Sequence, residues 1–468
     1  MSVISTSTTE ASSAPSAPVI KSPPYSELSS LDGQDVQLIG WIHHLRIQSK
    51  YIFATLRMGT DKLIQIVIPM KVVKESSTQH VTLESFVRLT GKISKLPANK
   101  YSFLSVEMQV DKLDVLSLAD ASFPSICPPD AGSDVKLEKR HVFLRDEKFA
   151  RITKCREEIL QAIRLHFQKT ECREIVPPSF TGVECEGGAT LFKVQHPGKS
   201  TDKPMEAYLT QSSQFSLEMA VPAHGHCYCI APSFRAENSH TRRHLTEFLH
   251  AESEWFGIIS FEDHLQKLTE MMRGILDGLL DIGKETLKSL DAYDRVLKLR
   301  AMVEDILVLD HKDAIAKCRE LGIYKDEETK THFDERDDIP EAAERKLIDK
   351  LDRIVFLVRF PKEFKSFYMA LDPEDSSRVL GCDVEVPGVG EIIGSGVREQ
   401  DYERLHKRLL EAKLDPADYQ EYLDLRRFGF GMTSGMGLGV DRMLTWILDL
   451  HSIRDVTTFP RFPGYLRP

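Results

Sequence analysis

Between Val36 and Leu118 apolar and polar residues alternate in five short runs, "VQLIGWIHHLRI", "YIFATLR", "KLIQIVIP", "ESFVRLTGKISKL" and "YSFLSVEMQVDKLDVL". A period of two sends successive side chains to opposite faces of a strand, and turn signals at Met58-Gly59-Thr60-Asp61 and Pro97-Ala98-Asn99 separate the runs. Residues 71–80 interrupt them with a short helical pattern. Five strands with one such break predict a small Greek-key barrel of the OB type. The alternation then ends in "SFPSICPPDAGSD", whose prolines and glycine mark a hinge. After it, "RITKCREEILQAIRLHFQK" repeats its apolar residues at helical spacing.

This change of period divides the chain into a tail (1–30), a barrel (31–120), a hinge (121–145) and a second domain (146–468). The tail, rich in Ser, Thr, Ala and Pro, reads as solvated and unfolded. In the second domain strand-like runs fill 180–260, a long helix is expected over 261–290, and charged helices over 294–352. A strand, turn, strand and helix follow from Lys365. Strands mixed with helices without a βαβ rhythm predict an α+β domain on an antiparallel sheet.

Composition narrows the function classes. Hydrophobic residues at 41% and charged residues at 28% are ordinary for a soluble enzyme. No apolar run approaches the ~18 to 20 residues that span a bilayer, so no membrane partner is expected. The eight cysteines are scattered without paired C-x-x-C units, which argues against a disulfide framework or a zinc site and for the cytoplasm. A net charge of -10 excludes a surface that clings everywhere to nucleic acid. Residues 31–120 nevertheless carry eleven Lys and Arg against nine Asp and Glu, which leaves room for a local basic face. The barrel alone does not choose between a nucleic-acid role and none.

Two segments carry chemistry. "FRAENSHTRRHLTEF" reads as a hairpin with Arg235 and Glu237 on the outgoing strand and His244, Thr246 and Phe248 on the return. A guanidinium fork suits phosphate oxygens and a ring suits a purine, although a surface hairpin laced with salt bridges fits this segment equally well. "GMGLGVDRMLTWIL" places Gly435, Gly437 and Gly439 on alternate positions, which flattens one strand face for a ligand, with Arg442 at the start of an apolar helix. The two together describe a triphosphate site. A dinucleotide-binding loop is excluded, since G-x-G-x-x-G and a surrounding βαβ unit are both missing.

On these residues the chain resembles the class II aminoacyl-tRNA synthetases. "FRAE…RRHLTEF" is similar to their motif 2 and "GMGLGVDR" to motif 3, while the helix leading into "EIVPPSF", with Pro178, is similar to motif 1, the element through which the family forms homodimers. With the amino-terminal barrel, the set resembles the aspartyl, asparaginyl and lysyl subgroup, from about residue 30 to the end. The resemblance implies an antiparallel-sheet catalytic domain behind an OB-fold anticodon-binding barrel. It implies ATP and Mg²⁺ as cofactors, with Arg235 on the α-phosphate, Arg442 on the γ-phosphate, Phe248 under adenine, and Glu237 and His244 positioning ATP. Glu391 is the implied Mg²⁺ carboxylate and Asp383 its helper. For tRNA it implies Phe53 as a stacking ring for the anticodon, with Arg46, Gln48 and Gln65 beside it.

The amino-acid pocket distinguishes the members of the subgroup. "CEGGATLF" is similar to the mobile loop, with Glu186 on the substrate ammonium, and "TQSSQFSLEMA" to the pocket strand, with Gln211, Ser212 and Gln214 facing the ligand. Leu217 stands where aspartyl enzymes place a lysine against the substrate carboxylate. A lysine beside a neutral amide would be an unpaired buried charge, so its absence favours a carboxamide. Arg398 matches the arginine that reads the side chain, and Glu252 or Glu254 in "HAESEW" supplies an acceptor for an NH2. The resemblance within the subgroup is therefore to its asparaginyl branch, of the eukaryotic cytosolic type. It implies asparagine and tRNA(Asn) as substrates, with the aspartyl branch as the alternative.

Overall fold

The computed structural model describes residues 22–97, 103–185, 190–197, 205–239 and 241–467. The chain divides into two compact units, one ending at Glu147 and one beginning at Lys148.

The first unit contains a closed barrel of β1 (Asp35–Ile47), β2 (Tyr51–Arg57), β3 (Leu63–Pro69), β4 (Phe86–Lys95) and β5 (Val106–Ser117), in the order β1-β2-β3-β5-β4. The alternation in the sequence explains it. Ile52, Ala54 and Leu56 of β2 point into the core with Ile64, Ile66 and Ile68 of β3, and the intervening residues face out. The interruption is the helix Met70–Glu75. The segment read as a hinge is not bare loop, because it holds the short helices Phe123–Ile126, Ser133–Glu138 and Arg140–Phe143.

The second unit is built on the strands β6 (Arg173–Glu174), β7 (Phe180–Thr181), β8 (Lys193–His196), β9 (Met205–Leu209), β10 (Cys227–Phe234), β11 (Glu247–Phe256), β12 (Leu307–Asp310), β13 (Val355–Val358), β14 (Gly381–Val386), β15 (Gly390–Val397) and β16 (Thr433–Gly439). Eight of them form one sheet, β12-β13-β14-β15-β16-β11-β10-β6, in which β6 and β12 pair in parallel at the two edges and every inner pairing is antiparallel. Helices Glu147–Lys169 and Phe261–Ile282 supply Ile159, Ile163, Leu268 and Ile275 to the core on this sheet. The long helix expected over 261–290 stops at Ile282 and resumes at Lys284–Ser289, because Gly283 has left helical geometry as a cap. Ser260 starts that helix with a capping box shared with Asp263, which satisfies donors that the helix itself cannot. Among the described residues no helix is long and apolar enough to cross a membrane.

Candidate active site

A cavity of about 240 Å³ opens on the inner strands of the large sheet. Alternation on β11 aims Phe248, His250, Glu252 and Glu254 into it from one face, and β14, β15 and β16 contribute Asp383, Glu391, Gly394, Met436 and Gly437. Arg235, Glu237, Arg243 and His244 close it from the connection between β10 and β11. That connection corrects the hairpin reading. The ladder ends at Phe234 paired with Glu247, so Glu237 and His244 reach the wall from a loop instead of from extended strands.

One end of the cavity is cationic. Arg235 lies over the Phe248 ring at 5.4 Å, and Arg442, at the start of helix Val440–Leu448, donates to the Glu391 backbone oxygen at 2.9 Å and to its carboxylate at 3.2 Å. Arg243 binds Glu341 at 2.9 Å. Lys365, which sequence reasoning passed over, forms an ion pair with Asp383. Desolvation would raise the Glu391 carboxyl, but Arg442, Lys365 and Arg235 outweigh it and hold it at about 2. Burial and then the charge of Arg442 lower the His244 imidazole, which accepts from or donates to Thr241 Oγ1 at 2.5 Å. Several positive groups converging on one recess suit an oligophosphate.

The other end is a buried ion-pair network. Arg398 grips Glu254 through Nε and Nη2 and stands 3.8 Å from Glu218. Burial works against its guanidinium charge, and Glu254 and Glu218 outweigh burial to raise its pKa. Glu252 accepts from the Ser213 amide at 2.8 Å and from Ser212 Oγ. Both acids are nearly sealed, at 3% and 1% exposure, which removes the alternative of ordinary surface charges. Of the alternate glycines of β16, Gly437 and Gly439 line the cavity, and only Gly439 has room for a further atom, while the face at Gly435 and Gly437 is filled by the protein itself. A methyl at Gly435 would overlap the Glu254 carboxylate and one at Gly437 the His250 ring, so the space belongs to the protein's own side chains.

The remaining expectations divide. Ser212 and Gln214 line the cavity, whereas Gln211 is buried outside its wall. The segment read as a pocket strand is a turn followed by the helix Gln214–His224, which buries Gln214, Leu217, Glu218 and Val221 at helical spacing. Leu217 therefore does not face a ligand, and packs with Cys227 and Cys229 behind the wall. Glu186 lies outside the described residues. Ser395, just before Arg398, sits in regular strand, donates to the Cys382 oxygen at 2.6 Å and faces His264 Nε2 at 3.0 Å. In the first unit Arg46 and Phe53 are direct partners across β1 and β2, Gln65 shares their outward face on β3, and Gln48 sits in the turn between β1 and β2.

Residues 132–463 match the family described as tRNA synthetases class II (D, K and N), and residues 36–116 match the OB-fold nucleic acid binding domain. The chain belongs to the class II tRNA synthetases. Among relatives of this synthetase, a cytoplasmic asparagine–tRNA ligase of Macaca fascicularis is 37% identical over 450 residues, which is 96% of this chain and 78% of that one. The asparaginyl-tRNA synthetase structure from Entamoeba histolytica superposes with a TM-score of 0.85 at 29% identity, covering 96% of this chain and 100% of that chain. The Pyrococcus horikoshii enzyme, solved with asparaginyl-adenylate, gives 0.83 at 34% identity over 96% and 100% of the two chains. The class II synthetase fold expected from the motifs, behind an OB barrel, is the one observed.

Proposed function

We propose that the chain activates asparagine with ATP and transfers it to tRNA(Asn) in the cytoplasm. The observation that carries this reading is the juxtaposition, in one cavity, of the cationic recess around Arg235 and Arg442 with the Arg398–Glu254 pair. In the first step the asparagine α-carboxylate attacks the α-phosphorus of ATP, pyrophosphate leaves, and an adenylate forms. Displacement at phosphorus needs alignment and charge neutralisation more than proton transfer. Arg235 holds the α-phosphate, Arg442 the far phosphates, and Phe248 stacks under adenine. Glu237 and His244 orient the nucleotide. In the second step the terminal ribose hydroxyl of the tRNA attacks the activated carbonyl and displaces AMP.

At the side-chain end, Arg398 donates to the asparagine carbonyl oxygen, and the acidic wall of Glu252 and Glu254 favours its NH2 over a second oxygen. Glu186 meets the ammonium group. Glu391 Oε1 and Asp383 Oδ1 border the space that Gly394 leaves, at 3.1 and 3.9 Å from where a Cβ would stand, and hard carboxylate oxygens there fit Mg²⁺. When bound, the ion neutralises phosphate charge. Lys365, now on Asp383, is placed to turn to a phosphate oxygen. On the barrel, Phe53 stacks an anticodon base, with Arg46, Gln48 and Gln65 around it. Val176 and Phe180, 91% and 55% exposed just after the helix Glu147–Lys169, support a homodimer through the motif 1 region.

Charging of tRNA transcripts with radiolabelled asparagine tests the assignment. Asparagine joined to tRNA(Asn) but not to tRNA(Asp) is expected, and charging of tRNA(Asp) with aspartate contradicts it.

A further inference from the structure

Glu218, on helix Gln214–His224, has 0% exposure and is absent from the cavity wall, yet it binds two residues that form that wall. Its Oε1 accepts from Gln214 Nε2 at 2.9 Å and lies 3.8 Å from Arg398 Nε. Tyr422 Oη reaches both carboxylate oxygens, at 2.8 and 2.9 Å, and Arg426 Nη2 donates to Oε2 at 2.7 Å. Arg426 is in turn held over the Tyr422 and Phe430 rings, at 4.1 and 4.5 Å.

Two consequences follow from this geometry. A carboxylate only accepts, so Gln214 must give it the NH2 end of its amide, and the atom that Gln214 retains for the cavity is the acceptor Oε1. Charge is the second. Arg398 and Arg426 stand against the buried acids Glu218, Glu254 and Glu252, which leaves no spare positive charge, and a further negative charge at such depth is strongly unfavourable. A carboxamide entering beside Arg398 leaves the balance intact. A carboxylate adds a negative charge and places its second oxygen near an acceptor instead of a donor.

We infer that Glu218 is a specificity-determining positioning residue, which makes the side-chain pocket accept a carboxamide and refuse a carboxylate by orienting the Gln214 amide and cancelling cationic charge around Arg398. This rests on the reading of Arg398 as the group that meets the substrate side chain. Glu218 touches no substrate itself. In the isosteric Glu218→Gln chain the balance shifts by one positive charge, and Gln214 is free to turn either end of its amide to the cavity.

The test is pyrophosphate exchange into ATP with the full chain, measured for asparagine and for aspartate. Glu218→Gln is expected to raise the aspartate-to-asparagine ratio of kcat/KM by about tenfold or more, equivalent to about 1.4 kcal/mol. The change should enter through KM for asparagine, with KM for ATP moving less than about twofold. Tyr422→Phe keeps the ring beneath Arg426 and removes the hydroxyl that donates to the Glu218 carboxylate, so a shift in the same direction of about threefold is expected. An unchanged ratio in Glu218→Gln overturns the inference, and so does a parallel rise of KM for ATP and asparagine, which marks general loosening. Should Glu218→Gln fail to fold, an unchanged ratio in Tyr422→Phe overturns it instead. A wild-type chain that does not prefer asparagine defeats the underlying reading, whereas one that prefers it while Glu218→Gln is indifferent defeats this inference alone.

Discussion

The outward face of the barrel and the cavity of the second unit are built by opposite means. On the barrel Arg46 and Gln48 are exposed and Phe53 is half-buried, so in the proposed reading each adds its own contact to a polynucleotide. At the cavity Arg398, Glu254 and Glu252, with Glu218 behind the wall, are nearly sealed and already hold one another or their neighbours. Contacts added one at a time are lost one at a time, with modest and roughly additive effects. A preorganised buried network fails as a unit, because removal of one charge leaves another uncompensated.

That contrast orders the expected effects of substitution. The largest belongs to Arg398→Ala, which should lower kcat/KM for asparagine activation by on the order of 10³- to 10⁴-fold. It also leaves Glu254 unpaired, at about 3–5 kcal/mol of stability, so exchange is compared with the Arg398→Ala/Glu254→Ala double variant, in which the loss of activity should persist. Activity recovered by the double variant places Arg398 in a structural role. Next comes Arg442→Ala, with a drop of about 10²- to 10³-fold in activation, as for loss of one preorganised donor to a transferring group. This variant should still distinguish asparagine from aspartate, because the two ends of the cavity perform separate tasks.

Phe53→Ala should weaken tRNA by roughly 1–3 kcal/mol, about 5- to 150-fold in affinity, and leave adenylate formation unchanged. Exchange and charging that fall together erase the distinction between the two regions. A further effect concerns acid stability beneath the cavity. His264 is fully buried between Ser434 and Ser395, and burial followed by the charge of Arg398 lowers its pKa from 6.5 to about 3. On acidification the unfolded chain takes up this proton first, so the stability of the folded state is unaffected above pH ~7 and falls between about 6.5 and 3, by at most about 1.4 kcal/mol per pH unit. His264→Gln should flatten that part of the slope in urea unfolding followed between pH 7 and pH 5. An equal slope in both proteins contradicts the burial argument.

The same contrast governs what could be read from the sequence. The barrel is local: a period of two and its turn residues determine β1 to β5, and strand pairing then brings Arg46, Phe53 and Gln65 to one face. Motifs of the second unit were equally legible where one strand carries them, as Phe248, Glu252 and Glu254 do on β11. Residues brought in from elsewhere were not. Lys365 reaches Asp383 from outside any strand, and Arg426 and Tyr422 reach Glu218 from more than 200 positions away in the chain. The segment 210–220 went astray for another reason. Its polar start suggested a strand facing a ligand, while the burial of Leu217, Glu218 and Val221 follows a helical period, with the polar Glu218 hidden among apolar residues because Arg426 neutralises it. Leu217 therefore packs behind the wall, and the next residue along, Glu218, adds its charge to that of Glu254 beside Arg398.

In the proposed reading the side-chain end of the cavity fits a neutral amide and excludes a carboxylate of the same shape. Pyrophosphate exchange measured with each of the twenty amino acids addresses it most directly. Exchange with asparagine and almost none with aspartate is expected, and a chain that exchanges as fast with aspartate contradicts the assignment.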